Sequence, residues 1–177
     1  MHNKMDIQEN IVNKVAQSAL VSLDLADLYP AGERFFYDIK DNLFHGLMLK
    51  EKDFRAFLGD HAWYQYQGKH VAISCSSDAI IPTWAFMLIS AQMSPFASSI
   101  VYGNLEDLEK ELFAKSLLAL NLDSYKDGRV VVKGCSKESV PTDAYVRLTT
   151  LLQPIVKSLF FGEPCSTVPI YKKKITT

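Results

Sequence analysis

The chain has 177 residues, of which 48% are hydrophobic and 22% charged, a composition that excludes a disordered protein and allows one substantial core. The net charge of -1 argues against the broad basic surface that neutralises phosphates, so we expect no nucleic-acid partner. The length predicts a single domain over residues 1–177.

The amino terminus reads as a packing helix. Asp6 can cap it, and Ile7, Ile11 and Val15 recur at helical spacing. The segment lacks the apolar run and cleavage site of a signal peptide, and the three cysteines are not closely paired. We therefore expect a cytoplasmic protein.

Two strands and a helix follow. Apolar and polar residues alternate through 19–25 and again through 35–39, with a turn at 29–32 between them. This pattern predicts a strand pair, which could be a hairpin. The charged segment from residue 50 to 58 is predicted to be a helix.

From Tyr66 the pattern becomes regular. A buried strand over 70–74 ends at Cys75, after which Ser76, Ser77 and Asp78 offer helix caps. A helix is expected from Pro82 to Ser94, then a strand over 99–102 and a helix that Asn104 can cap. Residues 79–105 contain no charged side chain, but Pro82 and Pro95 break the stretch, and we expect no membrane span.

The same pattern is then repeated. Segments of about 66–104 and 125–163 match at a constant offset of 59, which indicates an internal βαβ duplication. Upstream of the prolines, the second copy needs one additional residue if Cys75 is to match Cys135. The predicted fold class is therefore α/β, with a mostly parallel sheet, helices on its faces and an amino-terminal helix and strand pair.

All three cysteines occur before a serine, as Cys75-Ser76, Cys135-Ser136 and Cys165-Ser166. Each follows a predicted strand, and ligands of parallel sheets bind beyond the carboxyl ends of the strands. We predict that Cys75, Cys135 and Cys165 hold a metal. It is either zinc, with Asp78, a histidine or water as the fourth ligand, or an iron–sulfur cluster with one open iron. The polar residues expected beside the thiols, as further ligands or pocket residues, are Ser76, Asp78, Thr83, Ser136, Glu138, Thr142 and Ser166.

Two other interpretations remain open. The cysteines could be buried structural residues, in which case the chain is a non-catalytic interaction or scaffold protein with a partner surface around Asp41 to Arg55. Alternatively, one thiol is nucleophilic or redox-active, with Cys135 favoured because Lys133 and Lys137 flank it. No common nucleotide-binding, hydrolase or metalloprotease motif occurs, so the sequence leaves open whether the protein is an enzyme.

The histidines form no ligand pair. His45, His61 and His70 do not occur at metal-binding spacings, and we interpret them as surface or hydrogen-bonded core residues. The sequence names no small-molecule or protein partner, and a homo-oligomer is one state that it allows.

Several motifs resemble a known family. They are Gly32-Glu33-Arg34, Asp38-Ile39-Lys40-Asp41, the run from Gly46 to Arg55, the run from Cys75 to Ala85, Lys133-Gly134-Cys135, and the run from Gly162 to Pro169. Together they resemble an uncharacterised bacterial family classed as a domain of unknown function, over nearly the whole chain. The resemblance implies a small stand-alone bacterial protein, and it carries no established activity, cofactor or catalytic residue.

Overall fold

The computed structural model describes residues 20–134, 139–163 and 166–174. Within these ranges the chain forms an α/β fold with mostly parallel strands, as predicted, while the expected amino-terminal helix lies outside the described residues. The strands are β1 (Leu20–Leu23), β2 (Arg34–Asp38), β3 (His70–Ser74), β4 (Ser99–Tyr102), β5 (Arg129–Val132), β6 (Ser158–Glu163) and β7 (Ser166–Lys172). The helices are α1 (Glu51–Asp60), α2 (Thr83–Met93), α3 (Leu105–Leu118) and α4 (Thr142–Leu152).

The strands form two sheets, each in its own compact unit. The described residues of the three-stranded unit are 26–120 and 139–148, and its sheet has the order β2-β3-β4. The described residues of the four-stranded unit are 20–25, 121–134, 149–163 and 166–174, and its sheet has the order β1-β5-β6-β7. Whether the whole chain behaves as one domain stays a prediction.

The central strand β3 organises the three-stranded unit. Val71, Ala72 and Ile73 are all at most 2% exposed, as expected for a parallel strand that is covered on both faces. Because successive side chains point to opposite faces, Val71 and Ile73 pack in the core cluster that contains residues of α1 and α2. Ala72 packs instead with Leu108 and Leu112 of α3.

Helix α3 is fixed at its start and along its length. The Asn104 side chain accepts hydrogen bonds from the amides of Glu106 and Asp107, and Asp107 accepts one from the Asn104 amide, which completes a capping box. Arg34 of β2 forms a largely buried ion pair with Glu109, with Nε 2.6 Å from Oε1. These contacts confirm the predicted cap and hold α3 on its face of the sheet.

The charge-free stretch forms α2 and β4, as predicted. None of the helices in the described ranges is long and apolar enough to cross a membrane.

In the four-stranded unit, β5 is the central strand. Val130, Val131 and Val132 are at most 5% exposed, and β5 pairs in parallel with β1 and β6. Strand β7 adds antiparallel to the outer edge of β6.

The hairpin expectation was wrong. Strands β1 and β2 are both present, but β1 pairs with β5 and β2 pairs with β3, each in parallel and in different sheets. Each strand lies beside the buried apolar strand of its own unit, and alternation in the sequence does not specify that choice of partner.

The internal duplication is visible in the backbone at the predicted offset of 59. Helices α2 and α4 both have 11 residues, and β3 pairs with β4 in the same register as β5 with β6. The turns before the central strands also match, because Gly68 and Asp127 both have positive φ angles, of 73° and 54°. Their amides donate to the equivalent carbonyls of Phe96 and Ile155.

The additional residue expected in the second copy is not needed. The offset of 59 holds for the strands before the cysteines and for the helices after them. The position of Cys75 is therefore matched by Gly134, and Cys135 comes one residue later. Matching the two cysteines by residue type alone introduced the error.

The duplication also includes the first strand of each sheet, which the sequence analysis missed. Each of β1 and β2 is followed by a 3-10 turn, over Leu25–Leu28 and Ile39–Asn42. Asp24 and Asp38 occupy equivalent positions, and the residues after them, Leu25 and Ile39, are both fully buried.

Two glycines occupy equivalent positions in the two copies. Gly103 directly follows β4, and Gly162 lies within β6. Gly103 and Gly162 have φ angles of 134° and 121°, in a region that other residues rarely adopt. A Cβ at Gly162 would lie 2.6 Å from the backbone oxygen of Ser166, and one at Gly103 would lie 2.5 Å from the Asp107 carboxylate and 2.8 Å from the Asp107 Cβ. Asp107 would have to move out of the capping box of α3. We therefore expect Gly162→Ala and Gly103→Ala each to lower the free energy of unfolding by at least about 2 kcal/mol. Urea denaturation measures both.

Gly59→Ala is the matched control. Gly59 is an exposed residue in α1, has no positive φ and would place its Cβ in open space. This variant should be neutral or more stable by up to about 1 kcal/mol. Equal destabilisation by all three substitutions would contradict the backbone argument.

Candidate functional site

The candidate site lies where β2 and β3 end. Asp38 is the last residue of β2, it pairs in register with Ser74, and Cys75 follows β3 directly. This is the edge of a parallel sheet at which ligands usually bind. The structure thus confirms that Cys75 follows a strand, and it adds Asp38, which the sequence analysis identified only as part of a family motif.

The Asp38 carboxylate links the loops that follow the two strands. Its Oδ1 accepts hydrogen bonds from the Ser76 amide, at 3.0 Å, and from the Lys40 amide, at 3.1 Å. Its Oδ2 forms an ion pair with Lys40 Nζ at 3.1 Å. Asp38 therefore fixes the backbone immediately after Cys75.

These contacts keep Asp38 charged. Partial burial alone would raise the pKa of the carboxyl group, but the donors on Ser76 and Lys40 outweigh it and lower the pKa to about 2. The hydrogen bond to Asp38 and its charge in turn raise the pKa of Lys40. A carboxylate with these properties is suited to holding loops and charges, not to exchanging protons near neutral pH.

Cys75 presents a half-buried thiol at this corner. Its sulfur lies 3.1 Å from the Ser77 hydroxyl, and either atom could be the donor. One side of the side chain packs against the core cluster of the three-stranded unit. Val71 to Ile73 are almost completely buried, whereas Ser74 and Cys75 are partly exposed, so the chain emerges from the core over these two residues.

The other predicted residues of the first copy are exposed. Ser76 contributes its amide to Asp38, Asp78 lies on the surface, and Thr83 is the first residue of α2. The cap expected from the serines and Asp78 is wrong, because Pro82 is the N-cap residue and α2 has no side-chain cap. The cap candidates come too early in the chain to reach the helix start.

The second copy is only partly described. Thr142 is the exposed first residue of α4, and Ser166 is the exposed first residue of β7. The predicted residues Cys135, Ser136, Glu138 and Cys165 lie outside the described residues. Among the residues that the structure does describe, no group of three or more His, Cys, Asp or Glu side chains could hold a metal.

An aromatic cluster lies near the same unit's core. Trp63 and Tyr66 are at most 6% exposed, and His61 Nε2 lies 3.0 Å from the Tyr66 hydroxyl. Burial raises the pKa of Tyr66 to about 12 and lowers the pKa of His61. His70 has Ser99 Oγ and the Ala31 carbonyl at 2.8 Å from its two ring nitrogens. The interpretation of His61 and His70 as hydrogen-bonded residues is confirmed.

The surface expected for a protein partner, around Asp41 to Arg55, has an apolar tip. Phe44, Leu47 and Met48 are 42%, 70% and 56% exposed. Lys50 Nζ lies 3.1 Å from the centre of the Phe44 ring, which covers part of that tip with a charge.

The role of Asp38 can be tested through the pH dependence of stability. Its carboxyl pKa is about 2 in the folded protein against an ordinary 3.8, so its stabilisation is complete above about pH 4 and is lost as the pH falls toward 2. Asp38→Asn should lower the free energy of unfolding by about 1–3 kcal/mol at neutral pH, because the acceptor of the Ser76 and Lys40 amides loses its charge and the ion pair with Lys40 is lost. The difference from the wild type should shrink in acid.

Urea titrations at several pH values measure this difference, and an NMR titration of the carboxyl carbon measures the pKa directly. Asp60→Asn, at an exposed position of α1, is the control and should show no such trend. A variant as stable as the wild type at neutral pH would remove Asp38 from this role.

Comparison with known proteins extends over almost the entire chain. A family model described as Protein of unknown function (DUF2480) matches residues 9–173. No curated protein and no solved structure gives a significant match. The match supports the resemblance seen in the sequence motifs, and the chain belongs to the family described as Protein of unknown function (DUF2480).

Proposed function

We propose that the protein binds a thiophilic metal, as zinc or as an iron–sulfur cluster, through Cys75, Cys135 and Cys165. The observation that carries the proposal is the position of Cys75. Its half-buried sulfur lies at the carboxyl end of a central strand, beside a hydroxyl group, instead of within the core. Each of the other two cysteines precedes a serine in the same way as Cys75.

The chemistry of the donors fits this proposal. Thiolates are the preferred ligands of zinc and of iron–sulfur clusters, and three of them leave one coordination position for another ligand. Such a metal would act as a Lewis acid or as a redox centre when bound. The anchoring of the Ser76 amide by Asp38 would limit movement of the Cys75 backbone, as partners around ligands commonly do.

The contacts at this corner favour Asp78 over Asp38 as a fourth ligand. Asp38 is already engaged by two amides and by Lys40, so its use as a ligand would break these contacts. Asp78 is exposed and lies three residues after Cys75. We therefore propose Asp78, a histidine or water as the fourth ligand, with water required if the site is catalytic.

Metal and sulfide analysis of anaerobically purified protein, with an absorption spectrum, tests the proposal. We expect about one zinc per chain, or iron with sulfide and a brown colour. Cys75→Ser, Cys135→Ser and Cys165→Ser should each lose most of the metal, because two thiolates bind far more weakly than three.

His45→Ala is the matched control, since His45 is exposed and is not assigned to the site. It should retain the metal. Wild-type protein that is metal-free and folded, or metal that survives all three cysteine substitutions, would overturn the proposal. Structural cysteines and an interaction or scaffold role would then be favoured.

A further inference from the structure

One edge of the three-stranded sheet differs from the equivalent edge of the second sheet. Strand β4 lies at the end of the order β2-β3-β4, and no strand in the described ranges pairs with its outer edge. The equivalent strand in the second copy, β6, has the antiparallel strand β7 at that place. The duplication therefore shows what the open edge is built to accept, which is an antiparallel strand.

The open edge is short, but no charged residue, proline or bulge opposes pairing there. Edge strands commonly carry a lysine, a proline or a bulge, and β4 consists of Ser99-Ile100-Val101-Tyr102. The Gly103 amide donates to the Ile73 carbonyl of β3. Because the backbone alternates, the amides of Ile100 and Tyr102 point to the outer edge.

An exposed apolar surface lies beside this edge. A shallow groove between α2 and β4 is lined by Ile81, Thr83, Phe86, Met87, Ser90 and Tyr102. Met87 is 67% exposed and Tyr102 is 72% exposed. Contiguous apolar surface of this kind marks an interaction site more often than a solvated face.

Comparison with the second copy shows that the apolar character is not required by the fold. Helix α4 has the same length and offset as α2, yet it carries an ion pair between Asp143 and Arg147 on its surface. The stretch from residue 79 to 105 has no charged side chain. The exposed face of α4 is therefore suited to contact with water, whereas the exposed face of α2 is suited to contact with another apolar surface.

We propose that two copies of the chain associate through this surface, with β4 pairing antiparallel to β4 and the α2 faces packing together. A two-fold axis makes identical strands antiparallel, which is the direction of β7 on β6. A charge-free face also meets its own copy without bringing like charges together. This inference does not depend on the proposed metal site.

Sedimentation equilibrium and amide hydrogen exchange test the proposal. The wild type should be a dimer at micromolar concentration. Met87→Glu should weaken the dimer by about 100-fold or more, because two buried carboxylates would face each other across the axis. The Ile100 and Tyr102 amides should exchange slowly in the wild-type dimer and rapidly in this variant.

Val146→Glu is the matched control, since Val146 occupies the position of Met87 in α4 and is 59% exposed. It should remain dimeric. Tyr102→Lys is a second test of the edge, and thermal unfolding checks that every variant is folded. The proposal is overturned if the wild type is monomeric, even when its β4 amides are protected from exchange. It is also overturned if Met87→Glu and Val146→Glu have the same effect on dimer formation.

Discussion

The structure depends on two short strands that must be covered on both faces. Val71 to Ile73 in β3 and Val130 to Val132 in β5 are runs of three successive buried residues. Removing such a run from water contributes several kcal/mol, and it requires helices or loops on both sides and a paired strand on each edge.

The candidate site is a direct result of this arrangement. A buried central strand has to leave the core at its carboxyl end, and in the three-stranded unit it does so over Ser74 and Cys75. The neighbouring strand ends in a carboxylate that binds the backbone just beyond it. The thiol is thus placed by the sheet, and its surroundings are held by a charge that persists over the physiological range of pH.

Local features were predictable from the sequence, and pairings over long distances were not. Asn104 as a cap and the start of α2 near Pro82 follow from neighbouring residues, and the repeat offset follows from comparing two segments of the sequence. The pairing of β1 with β5 does not, since apolar alternation specifies a face and not a partner. The position of Cys75 was predicted correctly, but the role of Asp38 depends on a contact with a residue in a different loop.

The strands of the first copy, β2 to β4, lie in the sequence between β1 and the other strands of the second copy, and this order has a consequence during synthesis. Strand β1 leaves the ribosome first, but its partner β5 follows about 110 residues later, which is a delay of roughly 5–20 s. Meanwhile β3 emerges, and it is the equivalent of β5. Strand β3 can therefore meet two similar partners, β1 and β2. The shorter loop between β2 and β3, together with the aromatic residues Phe35, Phe36 and Tyr37 of β2, favours the native pairing with β2.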